Sequence, residues 1–320
     1  MGEAPWRPHR TVVMLGGMSE TSPPTAARNV LVAGAGGYLG RHLVTELARG
    51  GHRVRCLVRR PEELARPGRS GAPSLAGLDL DVRSADVTDP STLASIADGV
   101  DAVISTIGVT GHGGDPWRVD HAGNLALLDA ALAAGVRRVV FVNVLHAEQI
   151  PADLTRAKSA FAATLRRTTD QHLIVNPSGY FSDLGAYASM ARRGVALVVG
   201  GGRARLSPID GADLAAVIRQ QLEAGTTGDL DVGGPQTLTH HEIAELAFEA
   251  RGKRPRIASV PLPVARAGLA PVRMVAPSAA GIATFLLAGL AADSAAPPYG
   301  HRRMAEHFQQ LAAADDSGRR

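Results

Sequence analysis

Apolar and polar positions change period repeatedly along this chain. Asn29–Ala33 is a short β-branched and aliphatic run. Leu39, Leu43, Val44 and Leu47 then recur at helical spacing until Gly50-Gly51 stops the helix. Arg53–Val58 is a second apolar run, read as a strand, and Leu78–Val87 contains a third. Asp101–Ile107, DAVISTI, reads as a buried fourth strand. The pattern predicts a helix over Val119–Ala134, with Leu125, Leu127, Leu128 and Leu132 apolar and Gly135 as its C-cap. Arg138–Leu145 is the fifth strand, Ala152–Thr169 a helix, and His172–Val175 a sixth strand closed by Asn176-Pro177. Strands alternating with helices at this spacing predict an α/β fold with a parallel, doubly wound sheet.

Between the first strand and the first helix stand Gly34, Gly37 and Gly40 at GxxGxxG spacing, with Gly36 as an extra glycine. Such a turn between strand and helix is of the dinucleotide-binding, Rossmann type. The first glycine permits the tight turn, the second lets backbone approach a pyrophosphate, and the third lets helix pack on strand. The helix N-terminus offers N–H donors and a partial positive charge to the phosphates. The alternative is a glycine-rich turn that holds no nucleotide. At the end of the second strand, where an NAD site usually carries Asp or Glu for the ribose 2′-OH, stand Arg59 and Arg60, and no acid lies between Glu46 and Glu62. Guanidinium groups suit a 2′-phosphate, so NADP(H) is preferred and NAD(H) is kept as possible; the arginines could also be a solvated loop. Asp86, after the third strand, could accept from the adenine amino group, with Val87 beside it, while Asp89 before Pro90 suits a helix N-cap. Gly108 follows the fourth strand where backbone could lie against the cofactor, and Ser105 and Thr106 are expected to satisfy backbone there. The cofactor contacts expected are therefore Gly34, Gly36, Gly37, Tyr38, Leu39 and Gly40 of the turn, Arg59 and Arg60, Asp86 and Val87, Thr106 and Gly108, and further on Lys158 and Pro177.

Composition narrows the picture. The chain has 320 residues, 45% of them hydrophobic, with mean hydropathy +0.02, enough for a sizeable core in one α/β unit or two lobes. Net charge is +4 and pI about 9.7, but the arginines are spread out and form no dense block, so no nucleic acid partner is expected. The single cysteine, Cys56, lies inside the second strand and is read as a buried thiol, which fits a reducing, cytoplasmic compartment. Residues 1–27 read as a disordered tail punctuated by Pro5, Pro8, Pro23 and Pro24; no secretory signal pattern is present, and either Met1 or Met18 could be the start. Val275–Ala292 is alanine-rich and uncharged, but Pro277 and its small residues favour a helix packed on a small lobe or a subunit contact over a membrane role. A final amphipathic helix carries Met304, Phe308 and Leu311, and residues 313–320 are expected to fray.

Taken in order, GAGGYLG, LVRR, ADVTD, VDHAGNLALLDAALAAGVRRVVFV, the helix with Lys158, PSGYFSDL, SPIDGADLAAVI and DVGGPQTLTHHEIAELA resemble an atypical short-chain dehydrogenase/reductase of the NAD(P)H-binding, NmrA-like kind, over roughly residues 28–310. The resemblance implies a nucleotide domain over 28–176 and a smaller substrate lobe over 177–312, with segments returning to the main sheet and the substrate between the two. SPIDGADLAAVI would be such a segment, with Asp213 capping its helix. The family's catalytic pair is Tyr-x-x-x-Lys, in which Tyr exchanges a proton with substrate and Lys holds the ribose hydroxyls. Here Lys158 matches the lysine, but Leu154 stands at the tyrosine position and has no proton to exchange. Asn143 and His146 stand where the family's serine would lie. Tyr180 could face the nicotinamide or pack a lobe junction; His146 could act as acid or base or be a surface histidine; Asn143 could orient substrate or water. No metal site is read. His240, His241, Glu242 and Glu245 are better explained as a helix start, Thr239 and Glu242 forming a capping box. The sequence thus points to an oxidoreductase acting on an unidentified small molecule, as monomer or homodimer. The alternative is a non-catalytic NADP(H)-binding sensor, regulator or assembly factor.

Overall fold

The computed structural model describes residues 28–109, 114–268 and 277–317. The expected N-terminal tail and part of the glycine-rich loop after Gly108 lie outside the described residues. Seven strands form one parallel sheet: β1 (Asn29–Ala33), β2 (Arg53–Val58), β3 (Leu80–Ser84), β4 (Ala102–Ser105), β5 (Arg138–Val142), β6 (His172–Pro177) and, after two lobe strands, β9 (Gly228–Val232). Their order is β3-β2-β1-β4-β5-β6-β9, the doubly wound arrangement with its switch point between β1 and β4. Helices α1 (Tyr38–Arg49), α2 (Asn124–Ala133), α3 (Asp153–Thr168) and α5 (Gly211–Glu223) cover the two faces.

β1 shows why the apolar runs are continuous. Val30 and Val32 enter the core beneath α1 and α5, while Leu31 and Ala33 enter the core on the opposite face with Leu127 of α2. A strand buried on both faces cannot alternate with polar residues. β3 is shorter than its apolar pattern because Ala85 N–H closes onto Val58 O and Asp86 then turns the chain. β6 runs two residues further than read from sequence. Pro177 needs no N–H there, and its carbonyl accepts from Leu145 N–H at 3.1 Å.

The smaller lobe holds α4 (Gly185–Arg193), β7 (Ala196–Val199), β8 (Arg205–Leu206), β10 (Leu238–Thr239), α6 (His240–Glu249) and β11 (Ile257–Val260). After them come α7 (Leu262–Gly268), α8 (Pro277–Ala291) and α9 (Met304–Ser317). β7 pairs with β11 in parallel and β8 with β10 antiparallel. Tyr187, Phe248 and Phe308 centre its own core. The capping box of Thr239 and Glu242 is present at α6. α8 packs against α3, α7 and β7, and among the described residues no helix is long and apolar enough to cross a membrane. α9 continues through Ser317, past the point where fraying was expected, with Asp315 paired to Arg251.

Asp213 departs from the sequence expectation. The N-cap of α5 is Asp210, whose Oδ1 accepts from Ala212 N–H at 2.8 Å. Asp213 is buried in the first turn and accepts from the backbone N–H groups of His301 and Arg302 and from the Arg302 guanidinium. It therefore ties the C-terminal segment to the main domain.

Candidate cofactor and active site

The glycine turn is built as the spacing predicts. Gly34 has φ +82°, and a Cβ there would come 2.8 Å from Thr106 Oγ1. A Cβ on Gly40 would run into Gly34 O, so α1 rests directly on the turn. No side chain caps α1 at Gly37 and its first turn holds no acid, which leaves the helix N-terminus open to an anion. Arg41, which the sequence reading missed, is 3% exposed and donates to the carbonyls of Gly36, Glu63, Leu64, Arg66 and Pro73. Its guanidinium fastens the segment after Arg60 against the turn.

In front of the turn lies a cleft of about 440 Å³. Gly34, Gly36, Gly37, Arg59, Arg60, Asp86, Val87, Thr106 and Gly108, all anticipated, line it. Glu63, Thr88, Asp115 and Arg118 were not anticipated. Arg60 is paired with Glu63 at 2.7 Å, whereas Arg59 stands beside Asp86 without a described ion pair. Asp86 Oδ1 accepts from Thr88 N–H and Oγ1, both at 2.9 Å, and these bonds with the nearby Arg59 and Arg118 hold its carboxyl below the usual range. Asp89 caps the following short turn through Ser91 N–H. The open helix end and the arginines beside it fit the phosphates of a dinucleotide.

Five expected contacts, Tyr38, Leu39, Gly40, Lys158 and Pro177, do not line the cleft. Leu39 is buried in the core, Gly40 packs on Gly34, and Tyr38 turns toward α5, where its hydroxyl accepts from Gly211 N–H at 3.2 Å. Burial pushes the Tyr38 hydroxyl up to about 12. Tyr180 meets Tyr38 edge to face at 5.9 Å, and burial also pushes its hydroxyl upward, away from proton exchange at neutral pH. The packing alternative for Tyr180 is thus the one its surroundings support. His146 is exposed, in a left-handed conformation with φ +54°. Asn143 donates to Asn176 Oδ1 at 3.1 Å, and Asn176 donates to Asp231 Oδ1 at 2.9 Å, linking the carboxyl ends of β5, β6 and β9. Asn143 Oδ1 is buried without a partner.

Lys158, 5% exposed, donates to Ile107 O and Val142 O, each at 3.2 Å, and lies 3.2 Å from Asp120 Oδ1. Asp120 is fully buried, and its Oδ2 accepts from Val109 N–H at 3.2 Å. Burial raises its carboxyl pKa and the Lys158 ammonium opposes the rise. Although 3.2 Å from the ammonium, Oδ1 lacks hydrogen-bond alignment; we treat the contact as an ion pair, because charge attraction needs no such alignment. Gly108 stands between this pair and the cleft: a Cβ there would lie 3.2 Å from Asp120 Oδ1 and 3.6 Å from Lys158 Nζ. Trp117–Gly123 forms a wide π-type turn before α2, where sequence spacing predicted regular helix. Asn124 Nδ2 bonds Asp120 O across it. Asp120, Asn124, Leu127 and Leu128 share one buried helical face, and an acid on such a face was the available signal. Leu154, at the family's tyrosine position, is 2% exposed. Cys56 is buried and its thiol is pushed up to about 12. Among the described residues no cluster could hold a metal ion.

Residues 34–224 match the family model described as NAD(P)H-binding. The chain belongs to this NAD(P)H-binding family. The match fits the atypical short-chain dehydrogenase/reductase kind that its motifs resemble. This NAD(P)H-binding protein is 32% identical over 260 residues to the chloroplastic divinyl chlorophyllide a 8-vinyl-reductase of Zea mays, covering 75% of this chain and 64% of that one. It therefore spans less than two thirds of that relative's length. It is 29% identical to the photosystem II assembly factor Ycf39 of Synechocystis, over 74% of this chain and 72% of the relative. The fold superposes on an NADPH-dependent quinone oxidoreductase of Escherichia coli, complexed with NADPH, with TM-score 0.70 and 21% identity, covering 88% and 99% of the two chains.

Proposed function

We propose that the protein is an NADPH-dependent reductase acting on a conjugated small molecule whose own π-system accepts the charge left by hydride addition. The observation that supports this most is an intact nucleotide cleft beside a lysine, Lys158, with a buried leucine where the proton-donating tyrosine would stand. Reduced nicotinamide supplies hydride when bound. The open N-terminus of α1 and Arg59 would hold the phosphates, and Lys158 would hold the ribose hydroxyls. With Leu154 unable to donate, His146 exposed and Tyr180 half-buried with a raised pKa, an isolated ketone lacks an acid to protonate its oxygen. A conjugated vinyl group, enone or quinone delocalises the added electron pair and takes its proton from water. The activities named for the chlorophyllide and quinone reductases support this substrate class.

A second reading has its own support. Lys158 is already engaged by Asp120 and two carbonyls, as in a protein that binds NADP(H) without turnover, and one relative is named an assembly factor. The test is NADPH and NADH titration by nicotinamide fluorescence, followed by NADPH oxidation over quinones, enones, a divinyl tetrapyrrole and simple ketones. The reductase reading expects tight NADPH binding with turnover confined to the conjugated acceptors. Binding without turnover across the panel favours the second reading, and efficient reduction of simple ketones overturns the argument from Leu154.

A further inference from the structure

The small lobe carries a second surface, made of residues that do not line the nucleotide cleft. In β7, Ala196 and Val198 face the lobe core, leaving Leu197 53% exposed, and Val195 just before the strand is 48% exposed. Leu197 is in register with the exposed Ala258 of β11. α8 packs on β7 and α7 packs on α8; these helices add Leu286 and Val264, 46% and 59% exposed. The entry of both strands is cationic. Ala196 N–H donates to Arg256 O at 2.9 Å, which sets Arg256 beside Val195. Lys253 Nζ donates to Ala191 O and Arg192 O, joining the end of α4 to the approach of β11. Arg192, Arg193, Arg254 and Arg256 are exposed and make no ion pair with a described carboxylate. No Asp or Glu occurs between Leu184 and Ile209 or between Ala250 and Ala292. Of the other lobe arginines, Arg205 is paired with Asp293 and Arg251 with Asp315, while Arg203 and Arg266 are exposed without an ion pair to a described carboxylate.

We propose that this face docks on an anionic membrane surface, with Val195, Leu197 and Val264 at headgroup depth and the arginines on lipid phosphates. Guanidinium groups pair with phosphate through several N–H donors, and basic residues at an anionic leaflet add attraction additively. Exposed aliphatic side chains gain by entering the headgroup boundary. A nucleic acid would leave those aliphatics unused and would call for stacking aromatics, which the exposed residues of this face lack. The expectation against a membrane role weighed the apolar stretch 275–292 as a span, not the arginines that folding brings near it.

The test is co-sedimentation of the full chain with vesicles of phosphatidylcholine and phosphatidylglycerol in equal parts, against phosphatidylcholine alone. Wild type should partition onto the anionic vesicles at low salt and come off as salt rises. Each arginine contributes roughly five-fold, so R193Q/R254Q/R256Q should reduce partitioning on the order of a hundred-fold. V195N/L197N/V264N should reduce it by about ten-fold or more, since exposed aliphatics lose their gain on burial. Both variants should keep wild-type NADPH binding and melting temperature, which separates this surface from the cofactor reading. No association of wild type with anionic vesicles overturns the proposal. So does an aliphatic variant that binds like wild type, since that outcome reduces the surface to non-specific attraction for polyanions, duplex DNA included.

Discussion

The pair formed by Asp120 and Lys158 can be taken apart by a double-mutant cycle. At 3.2 Å the two charges attract with about 5 kcal/mol at an effective dielectric of about 20, before desolvation is counted. Both groups are buried, so desolvation cancels much of that attraction. The exposed weakness is therefore the loss of one partner. Asp120→Asn keeps an acceptor for Val109 N–H but leaves the ammonium uncompensated, and should cost about 3 kcal/mol, near the low end for breaking a buried pair. For a chain of this size that is roughly 4–5 °C in melting temperature. Lys158→Met should cost a similar amount at neutral pH. Its deficit should shrink in acid: burial already raises the Asp120 pKa, and removal of the opposing ammonium raises it further. A carboxyl whose folded-state pKa exceeds its unfolded value favours the fold below the unfolded pKa and loses that contribution as pH rises. The K158M deficit should accordingly grow from acid to neutral pH. D120N/K158M, with both charges removed, should lose clearly less stability than the sum of the two single losses, because no buried charge is then left uncompensated. The assay is urea unfolding of the four proteins, with NADPH titration alongside. Lys158 serves the ribose in our reading, so the double variant should regain stability without regaining affinity. Stability losses that simply add in the double variant would refute the coupling.

Two further outcomes follow from the cleft. Arg59→Ala should weaken NADPH ten-fold or more and leave NADH nearly unchanged, since a charge-assisted hydrogen bond is worth about 1.5–3 kcal/mol, whereas Arg60→Ala should do less because Arg60 is engaged by Glu63; equal NADPH and NADH affinities in wild type, by fluorescence titration, would overturn the phosphate assignment. Leu154→Tyr should not restore an acid: Leu154 is 2% exposed, so the larger ring should cost about 1–3 kcal/mol through overpacking with no gain in ketone reduction, checked by thermal melts and NADPH oxidation.

What could be read from the chain alone was set by range. The strand, glycine turn and helix from Asn29 to Val58 are local, and each residue's reason lies within a few positions: Gly34 must turn, Gly40 must touch it, and Leu43 and Leu47 must face the sheet. The lining of the cleft by Arg59, Asp86, Thr106 and Gly108 follows from that topology, because in a doubly wound sheet the carboxyl ends of neighbouring strands converge. Arg41, Asp120 and Asp213 were invisible or misread for one common reason. Each is a charged side chain on a helix whose partners lie elsewhere in the chain: carbonyls from Glu63 to Pro73 for Arg41, Lys158 for Asp120, and the segment at Arg302 for Asp213. Periodicity can show that a charge sits on an apolar face, as for Asp120, but it cannot name the partner.

The same limit decides how the missing tyrosine should be read. From sequence, Leu154 is an absence, and the nearby polar residues are natural substitutes. In the fold those substitutes divide by environment: His146 faces solvent, Tyr180 is packed against Tyr38, and Asn143 is tied to Asn176. No described hydroxyl or imidazole takes the tyrosine's place beside Lys158, whose immediate neighbours are two carbonyls, Asp120 and the Phe141 ring at 5.0 Å. That arrangement engages Lys158 with acceptors while offering a substrate oxygen no neutral proton donor. Under the proposed reductase function, the comparison between quinones or enones and simple ketones therefore carries more weight than activity on either alone.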